Sequence, residues 1–332
     1  MAQQKDSKQD STGDAREQIL AHIKSRCDEW VAELNSPNIA KIYSTIKSGK
    51  MLRSKLILAI LESTLNSLDS KDSSQKLDFA ISLCAIIELI QCASLLHDDV
   101  IDEACTRRGT PSVNATFGSK NAIMLGDVLY SRAYYYLSDF PANIAKSVSN
   151  AVCALSRGEI DDVIYSKEFQ PSLEVYYQIL EDKTASLIAA SAESSAILAG
   201  FDSLKYYQYG KNLGLAFQII DDLLDITQDE ETLGKPSMND LLEGKSTLPY
   251  ILLYAKIDSL QDVAQKEEFL SHFYARNDNA IKWFKSSFIR YDIITQCQHI
   301  AKDFITKALE AIKDECNSTL EEIAMSMIDR RF

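Results

Sequence analysis

The sequence predicts an all-α fold, and three observations carry that prediction. Glycine and proline number only 11 and 6 in 332 residues, so helix breakers are scarce. From Ala15 onward the apolar residues recur at spacings of three and four, as in Ile19, Ile23, Trp30 and Leu34, the stripe of a helix with one buried face. Alternating, strand-like patterns are hard to find.

The first 14 residues, MAQQKDSKQDSTGD, are polar and lack the apolar core of an export signal, so residues 1–14 read as a disordered lead-in to a domain over 15–332. The length alone allows roughly two domains. No composition shift, low-complexity tract or repeat marks a boundary, however, and a single large helical bundle is expected. Polar breaks at 35–38, 69–74, 107–112, 202–203 and 232–239 divide the chain, and the central helices are expected at 75–103, 119–139, 142–166, 172–199 and 203–228. The first and last of these five are apolar around most of their circumference and belong in the middle of the bundle. The most apolar run, 83–96, is interrupted by Glu88 and Gln91 and is shorter than a bilayer span, so no transmembrane segment is expected, only peripheral membrane association.

The net charge of −13 argues against a nucleic-acid partner. Seven scattered cysteines, with no CxxC or Cys/His cluster, point to a reducing, cytoplasmic setting.

Both strongly apolar segments end in aspartates. LLHDDVIDEACTRRG carries Asp98, Asp99 and Asp102, and FQIIDDLLDITQD carries Asp221, Asp222 and Asp225. Residues i and i+4 stack on one helical face, so Asp98 lies over Asp102 and Asp221 over Asp225, an arrangement that repels itself without a cation. Magnesium suits such a pair, because it takes one or two carboxylates and completes its shell with water and phosphate oxygens. Two such clusters predict a diphosphate held by metal ions in a central active-site cavity. A di-iron bundle would need Glu-x-x-His, which the chain lacks.

From about residue 40 to 250 the chain resembles the trans-type isoprenyl diphosphate synthases, especially the bacterial long-chain, octaprenyl-like polyprenyl diphosphate synthases, on its two DDxxD motifs and the trailing Arg107–Arg108–Gly109. The resemblance implies the isoprenoid synthase fold, a homodimer, and Mg2+, three ions per active site with substrate bound. It implies catalytic roles for Asp98, Asp102, Asp221 and Lys183, with metal ligands Asp98, Asp102, Asp221, Asp222 and Asp225. Gly49, Lys50 and Arg53 of SGKMLRSKL resemble the family's isopentenyl diphosphate pocket, the two cations being expected on one helical face. Gln91 and Arg108 are assigned to the same substrate. Arg107, Lys183, Thr184, Gln218, Lys235 and Lys245 are assigned to the allylic diphosphate, with Gly234 and Pro236 in a closing loop. The chain departs from the family at Ser54, where proline is usual, at Met238, where glycine is common, and at Asp162, which stands for the glutamine of a GExxQ element.

The implied reaction condenses isopentenyl diphosphate with an allylic diphosphate, farnesyl or geranylgeranyl, by ionisation, condensation and elimination. The released diphosphate takes the proton, and His97 is expected to pack rather than act as a base. Small residues Ala93 and Ser94 before the first cluster leave room for a long product, and Tyr134 is expected at the tunnel floor. A product of about C35–C50, best C40, for a quinone side chain follows from the resemblance. The competing readings are a short-chain synthase (C15–C20), a class I terpene cyclase and a non-catalytic partner subunit. The cyclase has no use for Lys50 and Arg53, and such subunits usually lose aspartates that this chain keeps.

Overall fold

The computed structural model describes residues 3–66, 70–228, 237–315 and 317–328. Among these residues the chain is helical but for one two-stranded hairpin. Contacts divide it into two compact units, Met1–Lys146 with Ser194–Phe201, and Ser147–Glu193 with Asp202–Phe332, where the sequence led us to expect one undivided bundle.

The first unit begins with α1 (Gln3–Ala32), so helix starts within the segment expected to be a lead-in, a stretch with no proline to stop it. Ser36 then caps α2 (Pro37–Tyr43), its side chain accepting from the Ile39 N–H, with proline at the first helical position. After α3 (Leu52–Asn66) comes α4 (Ser70–Ile101), which packs against α1, α3 and α6 (Ser119–Leu137). Its Leu83, Cys84, Ala85, Ile86 and Ile87 are all fully buried, as a helix apolar on every side must be. The sequence placed this stretch short of a membrane span. Over Ser74–Ile101 the helix is in fact long and apolar enough to cross a membrane by length and composition, but most of its apolar window is buried inside the protein, which marks it as a core helix.

Between α4 and α5 (Val113–Phe117) the chain reverses in a hairpin, β1 (Thr106–Arg107) against β2 (Thr110–Pro111), with Arg107 opposite Thr110. Its two turn residues, Arg108 and Gly109, have φ of 53° and 69°, as a two-residue turn of the primed type requires.

The second unit takes most of α7 (Ala142–Tyr165). It continues with α8 (Leu173–Leu180), a π-helical turn (Glu181–Ala185) and α9 (Ser186–Ala199), whose last residues belong to the first unit. The expected single helix over 172–199 is thus broken by a wide turn at Lys183–Thr184, a distortion often found at functional sites. Asp202 caps α10 (Ser203–Thr227) by accepting from the Leu204 N–H. Helix α10 packs against the π-turn and against α15 (Ile293–Ala311). Short α11 (Asn239–Glu243), α12 (Leu248–Ser259), α13 (Val263–Ala275), α14 (Asp278–Arg290) and α16 (Ser318–Ile328) complete it. An aromatic cluster of Tyr250, Phe269, Phe273, Phe284 and Phe288, all fully buried, joins α12, α13 and α14.

Gly214 lets α10 meet the π-turn at backbone range, since a Cβ there would lie 2.5 Å from the Ala185 Cα. Gly214→Ala should therefore destabilise the protein by about 1–3 kcal/mol, because the obstacle is backbone. Denaturant unfolding checks it, and a stability equal to the native chain's would refute the close approach.

Candidate active site

In the first unit, the Asp102 N–H donates to the Asp98 carbonyl at 2.8 Å, so Asp98 in the last turn of α4 and Asp102 just past its end are one helical turn apart. Asp98 is half-buried and Asp102 exposed. Between them Asp99 is only 3% exposed and turns inward. It accepts from Arg107 Nε at 2.8 Å and also from Nη2, so Arg107, expected on the allylic diphosphate, is committed to this carboxylate. The motif's middle aspartate thus neutralises the hairpin arginine and fixes the turn that bears its neighbours. His97 is pinned to α6 through Nε2, 3.1 Å from the Ile123 carbonyl and 3.5 Å from Asp127, and it packs on Gly126, in keeping with a packing role.

Arg108 donates to the Lys47 carbonyl at 2.5 Å, its guanidinium lying where a Cβ on Gly49 would be. Gly49, Gln91, Arg107 and Arg108 line a cavity of about 440 Å³ together with Lys47, a cation that the sequence reading missed. Cys27, Tyr43, Cys92 and Leu96 line the same cavity, as do the carboxylates Asp28, Glu88 and Asp99.

Lys50 and Arg53 do not share a helical face. Lys50 is exposed in the segment before α3, and Met51, with φ of 51°, turns the chain between the two. Arg53 lies in the first turn of α3, its Nε buried without a hydrogen-bond partner. Burial pulls its guanidinium down to about 10, opposed by Glu88. Ser54, in place of the usual proline, is fully buried and donates to Glu88 Oε1 at 2.6 Å.

Of the chain-length residues, Ala93 is fully buried. Ser94 is half-buried, bonded to the Gln91 carbonyl at 3.0 Å. Tyr134 is 36% exposed, with its ring stacked 6.5 Å from Tyr130 on α6.

In the second unit the same economy recurs. Asp222 is buried at 5% exposure and accepts from Tyr176 Oη at 2.7 Å and Gln218 Nε2 at 3.0 Å. Burial pushes its carboxyl up to about 7, against the pull of those two donors and with Asp221 and Asp225 adding to the rise. Gln218 in turn accepts from Thr184 Oγ1 at 2.8 Å. Asp225, 2% exposed, accepts from the backbone N–H groups of Asn239 and Asp240, each at 3.2 Å, and so holds the start of α11. Asp222 and Asp225, both expected as metal ligands, therefore have structural engagements, and Asp221 is the less buried member of the cluster. Met238 takes the left-handed conformation, φ 64°, which accounts for the glycine common at that position in the family.

Lys183 on the π-turn reaches Asp162 at 2.6 Å and Glu159 at 2.8 Å, both on α7, and Lys245 reaches Glu243 at 2.5 Å and Asp162 at 4.0 Å. Next to it Asp182 is clasped by Arg157, through Nε at 2.6 Å and Nη2 at 2.5 Å, so α7 grips the π-turn on both sides. Lys235, Gly234 and Pro236 lie outside the described residues. Among the described residues no three carboxylate, histidine or thiol groups converge into an ion cage. Asp98 with Asp102, and Asp221, supply the hard oxygen donors that suit magnesium completed by water and substrate.

Aspartate clusters with Arg107, Arg108, Lys183 and Lys245 on an all-α scaffold suit an enzyme that handles diphosphates. The chain belongs to the polyprenyl synthetase family, whose model matches residues 37–286. It is a trans-isoprenyl diphosphate synthase, a prenyltransferase with the isoprenoid synthase fold. A prenyl transferase of Cyanidium caldarium is 35% identical over 94% of this chain and 95% of its own. The octaprenyl pyrophosphate synthase of Helicobacter pylori superposes with a TM-score of 0.87 at 48% identity, covering 95% of this chain and 99% of that one. A polyprenyl synthase of Caulobacter crescentus, complexed with calcium and isoprenyl diphosphate, gives 0.84 at 28%, covering 95% and 96%.

Tyr176→Phe removes one of the two donors on buried Asp222 and should cost about 1–3 kcal/mol of stability. Urea unfolding measures this, and a native-like midpoint would mean that the Asp222 carboxyl does not need the phenol.

Proposed function

We propose that this prenyltransferase is a long-chain synthase. It condenses isopentenyl diphosphate with a farnesyl or geranylgeranyl starter to a product of about C35–C50, C40 for preference, destined for a quinone side chain. It works as a cytoplasmic homodimer with Mg2+ as cofactor, three ions per active site, and passes its insoluble product to a membrane. The observation that carries the reading is the division of labour within each aspartate cluster. Asp99 and Asp222 are turned inward and hydrogen-bonded, whereas Asp98, Asp102 and Asp221 are the more exposed members of their clusters and are the ones we assign to the cations.

The cavity of the first unit supports the isopentenyl diphosphate assignment, since Lys47 and Arg108 line it together with apolar Leu89, Leu95 and Leu96, side chains that suit an anionic head on a hydrocarbon tail. Lys183, Thr184 and Lys245 are assigned to the allylic diphosphate. The flanking carboxylates outweigh burial and hold the Lys183 ammonium above its ordinary value, so it serves as a fixed positive charge and not as an acid. Bound magnesium would offset the charge that develops on the leaving diphosphate. The proton lost in elimination is assigned to that diphosphate. The likeness to an octaprenyl synthase and the small Ser94 support a long product; Ala93 and Tyr134, as placed, do not add to it.

Labelled isopentenyl diphosphate with farnesyl diphosphate and magnesium should give a ladder ending near C40. Asp98→Ala should lower the rate by roughly a thousandfold or more, the scale of losing a major electrostatic contribution to the transition state. Products stopping at C15–C20 would keep the chemistry and refute the chain length, and no incorporation by folded protein would favour a cyclase or partner subunit. Gly49→Ala, which displaces the Arg108 guanidinium, should raise the KM for isopentenyl diphosphate by about three- to tenfold, the worth of a charge-assisted hydrogen bond, and leave that for the starter unchanged. An unchanged KM would remove Arg108 from that pocket.

A further inference from the structure

The Lys183 ammonium is already engaged before any anion arrives. Its side chain is 25% exposed and is held by Asp162 at 2.6 Å and Glu159 at 2.8 Å. Lys245 sits beside it, paired with Glu243 and 4.0 Å from the same Asp162 oxygen. At least three carboxylates therefore answer these two ammoniums, and Asp162 lies within ion-pair distance of both. Its position is where the family's GExxQ element carries glutamine, which has the hydrogen-bonding capacity to meet an ammonium but no charge.

We propose that Asp162 sets the affinity of the Lys183–Lys245 pair for diphosphate by competing for their ammonium protons. This rests on the assignment of those lysines to the allylic diphosphate. An arriving diphosphate must draw Lys183 off Asp162 and then lie near that carboxylate, so part of its attraction to the lysines is cancelled by repulsion. Asp162 is an affinity-setting residue and takes no part in bond making. Its consequence falls on the end of each cycle. Chain elongation requires pyrophosphate to leave and the lengthened diphosphate to be repositioned before the next addition. A pocket in which a carboxylate reclaims the lysine releases both more readily than one in which a neutral amide stands by.

The test measures inorganic pyrophosphate binding to the full-length protein in magnesium by calorimetry, together with steady-state kinetics. Asp162→Gln should tighten pyrophosphate by roughly three- to tenfold, the scale of one partly screened charge at this range. It should lower the KM for the allylic diphosphate, leave that for isopentenyl diphosphate unchanged, and lower kcat through slower release. Asp162→Glu keeps the charge and should bind pyrophosphate as the native chain does. Unchanged or weaker binding by Asp162→Gln that melts like the native protein would overturn the proposal, as would tightening by Asp162→Glu to the same degree. Should Asp162→Gln fail to fold, Asp162→Asn carries the same expectation. Lys183→Ala separates the two readings: weaker pyrophosphate binding supports the lysine's assignment, and binding unaffected by its loss would overturn that assignment whatever Asp162→Gln does.

Discussion

Carboxylates crowded at the end of an apolar helix repel one another, and the structure answers that constraint by giving each one a different engagement. Asp99 is tied to Arg107 and Asp222 to Tyr176 and Gln218, while Asp225 caps α11. Without these ties the helix ends would carry buried anions with no partner, a cost of several kcal/mol each. With them, the less buried Asp98, Asp102 and Asp221 stand at the ends of two core helices, where the proposed cations would meet them. The hairpin at 106–111 and the π-turn at 181–185 exist in the service of this arrangement, one delivering Arg107 and the other Thr184 and Lys183.

Much of this was legible in the sequence. Scarcity of glycine and proline with three-and-four spacing gave the helices, and the expected bounds 119–139, 142–166 and 203–228 agree closely with α6, α7 and α10. The aspartate motifs located both clusters. Burial within a motif was not legible, because i and i+4 periodicity says which residues share a face but not which face is occupied by a neighbouring element. Asp222 and Asp225 therefore looked like ligands, and Arg107 like a substrate contact. Lys50 and Arg53 were placed on one face because nothing in a spacing of three shows that Met51 turns the backbone. Lys47 and Glu159 were invisible for a different reason: their roles depend on chain that is distant in sequence.

The departures from the family pattern are explained by local physics. Ser54 gains a hydrogen bond to Glu88 that proline cannot make, and Met238 accepts a left-handed backbone while burying its side chain completely. Asp162 exchanges a neutral amide for a charge between two lysines, which alters electrostatics at the place where diphosphate is expected and leaves the fold alone.

The central claim is that the buried aspartates and the more exposed ones have different jobs, and the most direct measurement compares magnesium dependence across four substitutions: Asp98→Asn, Asp99→Asn, Asp221→Asn and Asp222→Asn. The account predicts that Asp98→Asn and Asp221→Asn raise the magnesium concentration needed for half-maximal rate and leave thermal stability near native. Asp99→Asn and Asp222→Asn should lower the melting temperature and leave the magnesium requirement of the folded fraction almost unchanged. A substitution of a buried aspartate that shifts the magnesium requirement as far as that of a more exposed one, at native stability, would contradict it.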